Sequence, residues 1–254
     1  MSAKLDETPS EPSDPPAALT ASGAAPTDAP GALPLPAVDR LEDRLLSVFS
    51  AFLADESATA PSSSDQHWQV GSLVALLGFD DELCGLAGSL YFRLYPSEQD
   101  RTAGHRASPA DGERAEMTAA CGAALRQGGL CSLAVPIGPG GLLVSLAKAC
   151  VGTSASADAV GCAVVLPAPR AIGTSAPASV AAQLFHEAPG RMLVAIPAAR
   201  YADATLLTRS HGVPLLPLGR TGGRELVIRA SDGGSAFREV LRISVAALAL
   251  PSTP

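Results

Sequence analysis

The chain of 254 residues is defined first by what it does not contain. No apolar run approaches the roughly 20 residues that a membrane-spanning helix needs, so a membrane protein of that kind is not expected. Lys4 is followed by no apolar stretch, which argues against a secretory signal. Only 18 Lys and Arg stand against 25 Asp and Glu, a net charge of −7. A nucleic-acid groove needs clustered cations facing phosphates, and that balance speaks against one. The five cysteines, Cys84, Cys121, Cys131, Cys150 and Cys162, include no C-x-x-C pair and sit mostly in apolar runs. Buried, reduced thiols in a cytoplasmic protein are therefore expected, with no metal centre.

The usual catalytic signatures are missing as well. No G-x-x-x-x-G-K-[ST] loop occurs, and no G-x-G-x-x-G with an acid at the right distance. No serine stands in a G-x-S-x-G elbow, so Ser-His-Asp catalysis has no support. Of the four histidines, His67 and His105 lie in polar stretches and His211 abuts the helix-stopping Gly212. His186 alone belongs to a cluster, His186-Glu187-Ala188-Pro189-Gly190-Arg191, that could contact a substrate. A general base also needs a partner placed by the fold. The run Asp80-Asp81-Glu82 has no matching histidine and reads as a solvated turn or the first turn of a helix. Ser231-Asp232-Gly233-Gly234, between two strand-like runs, reads as a hairpin turn before it reads as a phosphate loop.

What is present divides the chain. Residues 1–36 hold eight prolines and few large apolar side chains, the composition of a disordered tail. Residues 37–54 carry Val38, Leu41, Leu45, Val48, Phe49 and Phe52 at helical spacing, an amphipathic helix suited to docking on the main domain or on a partner. Residues 55–67 are a Ser-rich linker, and residues 68–250 form one domain. Within it, strands are expected at Val70–Gly78, Leu130–Val135, Gly161–Leu166, Met192–Ile196, Val213–Leu218, Glu225–Arg229 and Phe237–Ile243. Helices are expected from Ser108 to Leu125, with Met117, Ala120, Cys121, Ala124 and Leu125 inward, then at Gly140–Cys150, Ala178–Phe185, from Pro197 to Gly212, and at Val245–Leu250 capped by Ser244. This order gives an α/β chain of the α+β type, a mixed sheet covered by helices largely on one side.

The organising stretch is Gly129 to Ala147, a buried strand, a Gly/Pro turn and a helix that opens on Gly140-Gly141. A strand running into a helix N-terminus presents free N–H groups to an anion. The turn itself carries no carboxylate, histidine, lysine or hydroxyl.

Three segments in order resemble phosphoribosylformylglycinamidine synthase: Leu76-Leu77-Gly78 through Leu86-Ala87-Gly88-Ser89-Leu90-Tyr91-Phe92, Gly129 through Ala149, and Leu184 through Val194. Gly212-Val213-Pro214 and Leu218-Gly219 also resemble that family's G-V-P and I-G strand. The matching part is the last lobe, the PurM-like C-terminal domain shared with aminoimidazole ribonucleotide synthetase. The resemblance implies an ATP-dependent amidation in purine biosynthesis, with ATP and magnesium held mostly by an N-terminal lobe for which residues 1–65 leave no room.

The family's turn reads His-Asp-x-Ser-Asp-Gly-Gly. Aligned on Gly140-Gly141, this chain has Val135, Pro136, Gly138 and Pro139 at the four polar positions, and Leu90 where the family has an acid. Proline and valine neither hold magnesium nor transfer protons. The expectation is a pseudoenzyme with no catalytic residue and no metal. Gly88, Ser89, Gly140, Gly141, Glu187, Gly190 and Arg191 would be its vestigial ligand positions, and no cofactor is expected on the isolated chain. It would act as a binding or structural module, partnered by a larger synthase polypeptide or by a second copy. The alternative is the C-terminal subunit of a split synthase.

Overall fold

A computed structural model describes residues 38–56, 68–79, 86, 89–95, 112–152, 159–167, 180–187, 189–231 and 236–249. The tail, most of the linker, Asp80-Asp81-Glu82, Cys84, Gly88, His67, His105 and Asp232-Gly233-Gly234 lie outside these residues. The described elements are α1 (Val38–Glu56), β1 (Leu73–Gly78), α2 (Leu90–Leu94), α3 (Gly112–Gln127), β2 (Leu133–Pro136), α4 (Gly141–Val151), β3 (Cys162–Leu166), α5 (Val180–Phe185), β4 (Arg191–Ile196), α6 (Tyr201–Ser210), β5 (Leu215–Thr221), β6 (Glu225–Ser231), β7 (Phe237–Ser244) and α7 (Val245–Ala249). A 3₁₀ turn, Ala198–Arg200, leads into α6.

The strands form one mixed sheet in the order β2-β4-β1-β5-β3-β6-β7. Every neighbouring pair is antiparallel except β3 with β6, which run parallel. Alternation along the strands splits the apolar side chains between two faces, because successive residues point to opposite sides. Val74, Leu76, Leu193 and Ala195 face one core, in which residues of α1, α2, α4, α5 and α7 are packed. Ala75, Leu77, Met192, Val194 and Ile196 face the other, packed with Cys121 and Leu125 of α3 and Ala204 of α6. Helices thus gather mainly on one side, as expected, while α3 and α6 add a smaller second layer.

The helix α1 is docked on the domain. Leu45, Val48 and Phe49 are buried in the larger core. Arg44 Nη1 donates to the Tyr91 hydroxyl at 2.6 Å, and its guanidinium lies 5.4 Å from the Tyr95 ring centroid. Lys148 Nζ of α4 stands 4.5 Å from the Phe52 ring centroid. Leu45, Val48, Phe49 and Phe52 of the amphipathic pattern therefore pack within the chain.

Several boundaries differ from those expected. Val70 and Gly71 belong to a turn closed by Ser72 N–H on Gln69 O at 3.2 Å, so β1 begins at Leu73 and Val70 is exposed. Leu130 N–H still bonds Leu125 O at 2.9 Å, which keeps it in the C-terminal cap of α3 and delays β2 to Leu133. Ala120, expected inward, is exposed; Thr118, Cys121, Gly122 and Leu125 form the buried face of α3 instead. A methyl group carries too little apolar area to fix a helix face. The short α2 has no counterpart among the expected elements. Ser244 does cap α7, accepting from Ala247 N–H at 3.2 Å. The antiparallel pairing of β6 with β7 agrees with a hairpin between them.

Candidate functional site: a carboxylate shared by two helix N-termini

Two turns meet beside the larger core, to which Ile137 and Phe185 belong. The first joins β2 to α4. Ile137 N–H bonds Arg191 O at 2.9 Å, so the chain leaves β2 still attached to β4. Gly141 N–H then bonds Gly138 O at 3.0 Å, closing a four-residue turn. Pro139 occupies its second position and Gly140 its third, with φ 81° and ψ −1°. Those are the residue and the dihedrals that a type II turn demands. Proline at 139 thus fixes the turn, whereas an aspartate there would have offered a side chain to a ligand.

The glycines of this turn have steric reasons. A Cβ on Gly141 (φ 69°) would stand 2.6 Å from Leu184 O and 2.7 Å from Phe185 Cα, so α4 begins in direct contact with the backbone of α5. A Cβ on Gly140 would meet Val144 Cγ2 at 2.3 Å. A Cβ on Gly138 would meet nothing within 4 Å.

The second turn, His186 to Gly190, follows α5. Its Glu187 supplies the group that the first turn lacks. One carboxylate oxygen, Oε1, accepts from Gly140 N–H at 2.7 Å and from Leu90 N–H at 2.8 Å. Gly140 is the N-cap of α4, and Leu90 is the first residue of α2. Helix N-termini carry unsatisfied donors and a partial positive charge, which a carboxylate satisfies. Ser89 completes the start of α2, its hydroxyl accepting from Phe92 N–H at 3.3 Å. Burial pushes the Glu187 carboxyl above its ordinary range; the N–H groups of Gly140 and Leu90, and then Arg93, pull it back only in part. Tyr91 of α2 stacks on Phe185 at 4.4 Å between centroids, so the same junction is clamped by aromatic packing.

Ser89, Gly140, Gly141 and Glu187 therefore form one junction. The remaining described positions do other work. Arg191 is buried at the start of β4, opposite Gly78, with Nη1 3.2 Å from His186 Nδ1 and 3.4 Å from His186 O. His186 is buried too, so this cluster is internal and has no exposed imidazole. Gly190 (φ 80°) lets the chain pass α3, where a Cβ would meet Ala115 at 3.3 Å. Its carbonyl is so close to Gly78 that a Cβ on Gly78 would fall 2.1 Å from it. Leu90 contributes through its backbone, which no side-chain signature in the sequence could reveal.

Chemically, the junction binds a carboxylate that belongs to the chain itself. The side chains of the turn are Val135, Pro136, Ile137 and Pro139, none with an oxygen or nitrogen to offer a magnesium ion or a proton. Among the described residues no group of three or more His, Cys, Asp or Glu converges on one point. The residues at this turn do not fit a magnesium-nucleotide complex.

No protein-family model matches the chain, and no curated protein matches it in sequence. Solved structures do resemble it. T. maritima PurL complexed with FGAR superposes with a TM-score of 0.51 and 16% identity, over 73% of this chain and 29% of that one. T. maritima PurL complexed with ATP gives a TM-score of 0.48 and 14% identity, over 75% and 28%. The thiamine-monophosphate kinase of Stenotrophomonas maltophilia K279a gives 0.35 and 18%, over 68% and 53%. The likeness is one of fold, a PurM-like domain with a mixed seven-stranded sheet. The chain spans less than a third of the length of the PurL structures it resembles.

Proposed function

We propose that this chain is a non-catalytic PurM-like domain, a binding or structural module that keeps the architecture of a synthase lobe without its chemistry. One observation carries the reading: Glu187 takes the Gly140 and Leu90 N–H groups that would otherwise greet an anion. Around it, the turn from Val135 to Pro139 offers only apolar side chains and glycine. Acid–base work needs a titratable group within hydrogen-bond reach of substrate. The carboxylate of Glu187 is committed to holding two helices together.

Thermal denaturation of the full chain tests this, with and without ATP, magnesium and formylglycinamide ribonucleotide. The melting temperature should not move. A ligand that binds the native state at 100 times its Kd stabilises by about 2.7 kcal/mol, so a rise of several degrees, or turnover, would overturn the reading.

A second reading makes the chain the terminal subunit of a split, ATP-dependent synthase of purine biosynthesis. Its span, 29% of the PurL chain complexed with FGAR, favours this. Another polypeptide would then bring the active site, and this lobe would remain structural. Co-expression with a synthase polypeptide lacking its last lobe distinguishes the two readings. Stoichiometric co-elution supports the subunit, and a chain that elutes only with itself excludes it.

A further inference from the structure

Two of the four described cysteines face each other. Cys150 lies in the last turn of α4 and Cys162 opens β3. Both are about 1% exposed, and the Cys150 thiol points at Cys162 Sγ across 3.7 Å. The other two described cysteines cannot compete for this pair. Cys121 belongs to the opposite core and Cys131 packs against that same core, so the sheet separates them from Cys150 and Cys162.

We propose that Cys150 and Cys162 are a reversible redox site, oxidised by a small hydroperoxide to a disulfide that ties the C-terminal end of α4 to β3. A disulfide needs its sulfurs about 2.05 Å apart, so each has under about 1 Å to travel, within the reach of a modest χ1 adjustment. The anchor on one side is firm. Cys162 pairs with β5 and β6 at once, opposite Thr221 and Leu226. The preceding Gly161 is bonded through its N–H to Gly223 O and through its carbonyl to Gly222 N–H. The other side is adaptable. Helix α4 ends at Val151, and Gly152 (φ 71°), exposed, follows it. The exposed Gly152 stands two residues from Cys150, so this end of α4 is the side from which a small hydroperoxide would reach the buried pair.

The chemistry balances with the hydroperoxide as the sole oxidant. One thiol loses its proton, and its thiolate attacks the peroxide oxygen; the O–O bond breaks, leaving a sulfenic acid and, from hydrogen peroxide, water. The second thiol, as thiolate, attacks that sulfur; the S–O bond breaks and a second water leaves. Two electrons pass to the peroxide. The Cys162 sulfur beside it, together with burial, holds the Cys150 thiol well above the ordinary range, so attack through Cys150 is favoured as pH rises.

Treating the folded full-length chain with hydrogen peroxide, then blocking free thiols and mapping peptides by mass spectrometry, tests the site directly. The expected product is a single Cys150–Cys162 cross-link, lighter by about 2 Da because two hydrogens are lost, and reversed by dithiothreitol. The oxidised chain should melt about 5 °C higher than the reduced one, because the cross-link restricts the unfolded chain. Cys162→Ser should abolish both the cross-link and the rise. Recovery of Cys150 and Cys162 as free thiols or sulfinic acids, a cross-link to Cys84, Cys121 or Cys131, or a linked chain with an unchanged melting temperature would each overturn the proposal. Mapping the wild-type chain decides the matter even where the serine variant does not fold.

Discussion

The turn from Gly138 to Gly141 and the turn from His186 to Gly190 meet at one carboxylate, yet they are built of opposite material. The first contributes only backbone: a proline that fixes φ, glycines that permit close approach, and an N–H. The second contributes side chains: a glutamate that accepts from two helices, a buried histidine, and beyond it a buried arginine. A site that binds a free anion would leave the backbone donors open and set its side chains around the vacancy. Here one turn fills the other. The difference teaches that an anion-binding shape and an anion-binding site are separate properties, and that an internal acid can keep the first while removing the second.

The comparison breaks most severely at Gly141. Alanine there would force a Cβ against Leu184 O and Phe185 Cα while holding φ at 69°. Neither backbone can yield without moving α5. Gly141→Ala should cost about 3–5 kcal/mol, as strain and overpacking combine, measurable as the shift of the urea midpoint. A midpoint within error of wild type would mean that α4 does not begin in contact with α5.

Glu187 comes next. Glu187→Ala strands two N–H groups at the start of α2 and α4, and should cost about 2 kcal/mol. Glu187→Gln keeps a carbonyl oxygen in the same place and removes only the charge, so its loss should be about 1 kcal/mol or less. If the glutamine variant lost as much as the alanine one, charge at the two helix N-termini rather than hydrogen bonding would be the main contribution of Glu187.

The pH dependence sharpens the same point. Burial is the largest influence on Glu187 and raises its pKa above the ordinary 4.5. A carboxyl whose folded pKa is raised binds its proton more tightly in the native state, so its contribution to stability falls as pH rises through that interval. The stability of wild type minus that of Glu187→Gln should therefore be greatest below pH 4.5 and decline to a plateau above the raised value. A difference that grows with pH would show that the two N–H bonds outweigh burial.

Much of this fold can be read from the residues, for identifiable reasons. The runs Cys162–Leu166 and Met192–Ile196 are apolar and each is followed by Pro, so their strands are plain. The Pro139-Gly140 pair marks its turn equally well. Helix α2 is hidden because five residues are too few to display a period. Leu142, Leu143, Leu146 and Cys150 of α4 recur at helical spacing and are buried, but so are Val144, Ser145 and Ala147, because α1, α5 and α7 surround the helix. Least legible was the junction itself. Gly140 and Glu187 are 47 residues apart, and Leu90 is 97 from Glu187. The sequence shows the glutamate, but only tertiary structure shows that its oxygen belongs to two helices.

The smallest expected effect lies at Gly138, one of the positions at which the resembling family carries a polar side chain. Nothing stands within 4 Å of a Cβ built there, and its φ is not positive. Gly138→Ser should therefore change stability by no more than about 0.5 kcal/mol, a shift at the edge of detection in a melting curve. The near-silence would itself be informative. Gly140 and Gly141 are held by contacts with Val144 and α5, whereas nothing in the packing requires the glycine at 138. A serine there restores a hydroxyl to the turn while Glu187 still occupies the Gly140 N–H. If Gly138→Ser nevertheless made the melting temperature rise with ATP and magnesium, the internal carboxylate would be a displaceable occupant, and the absent hydroxyl alone would explain the silence of the native chain.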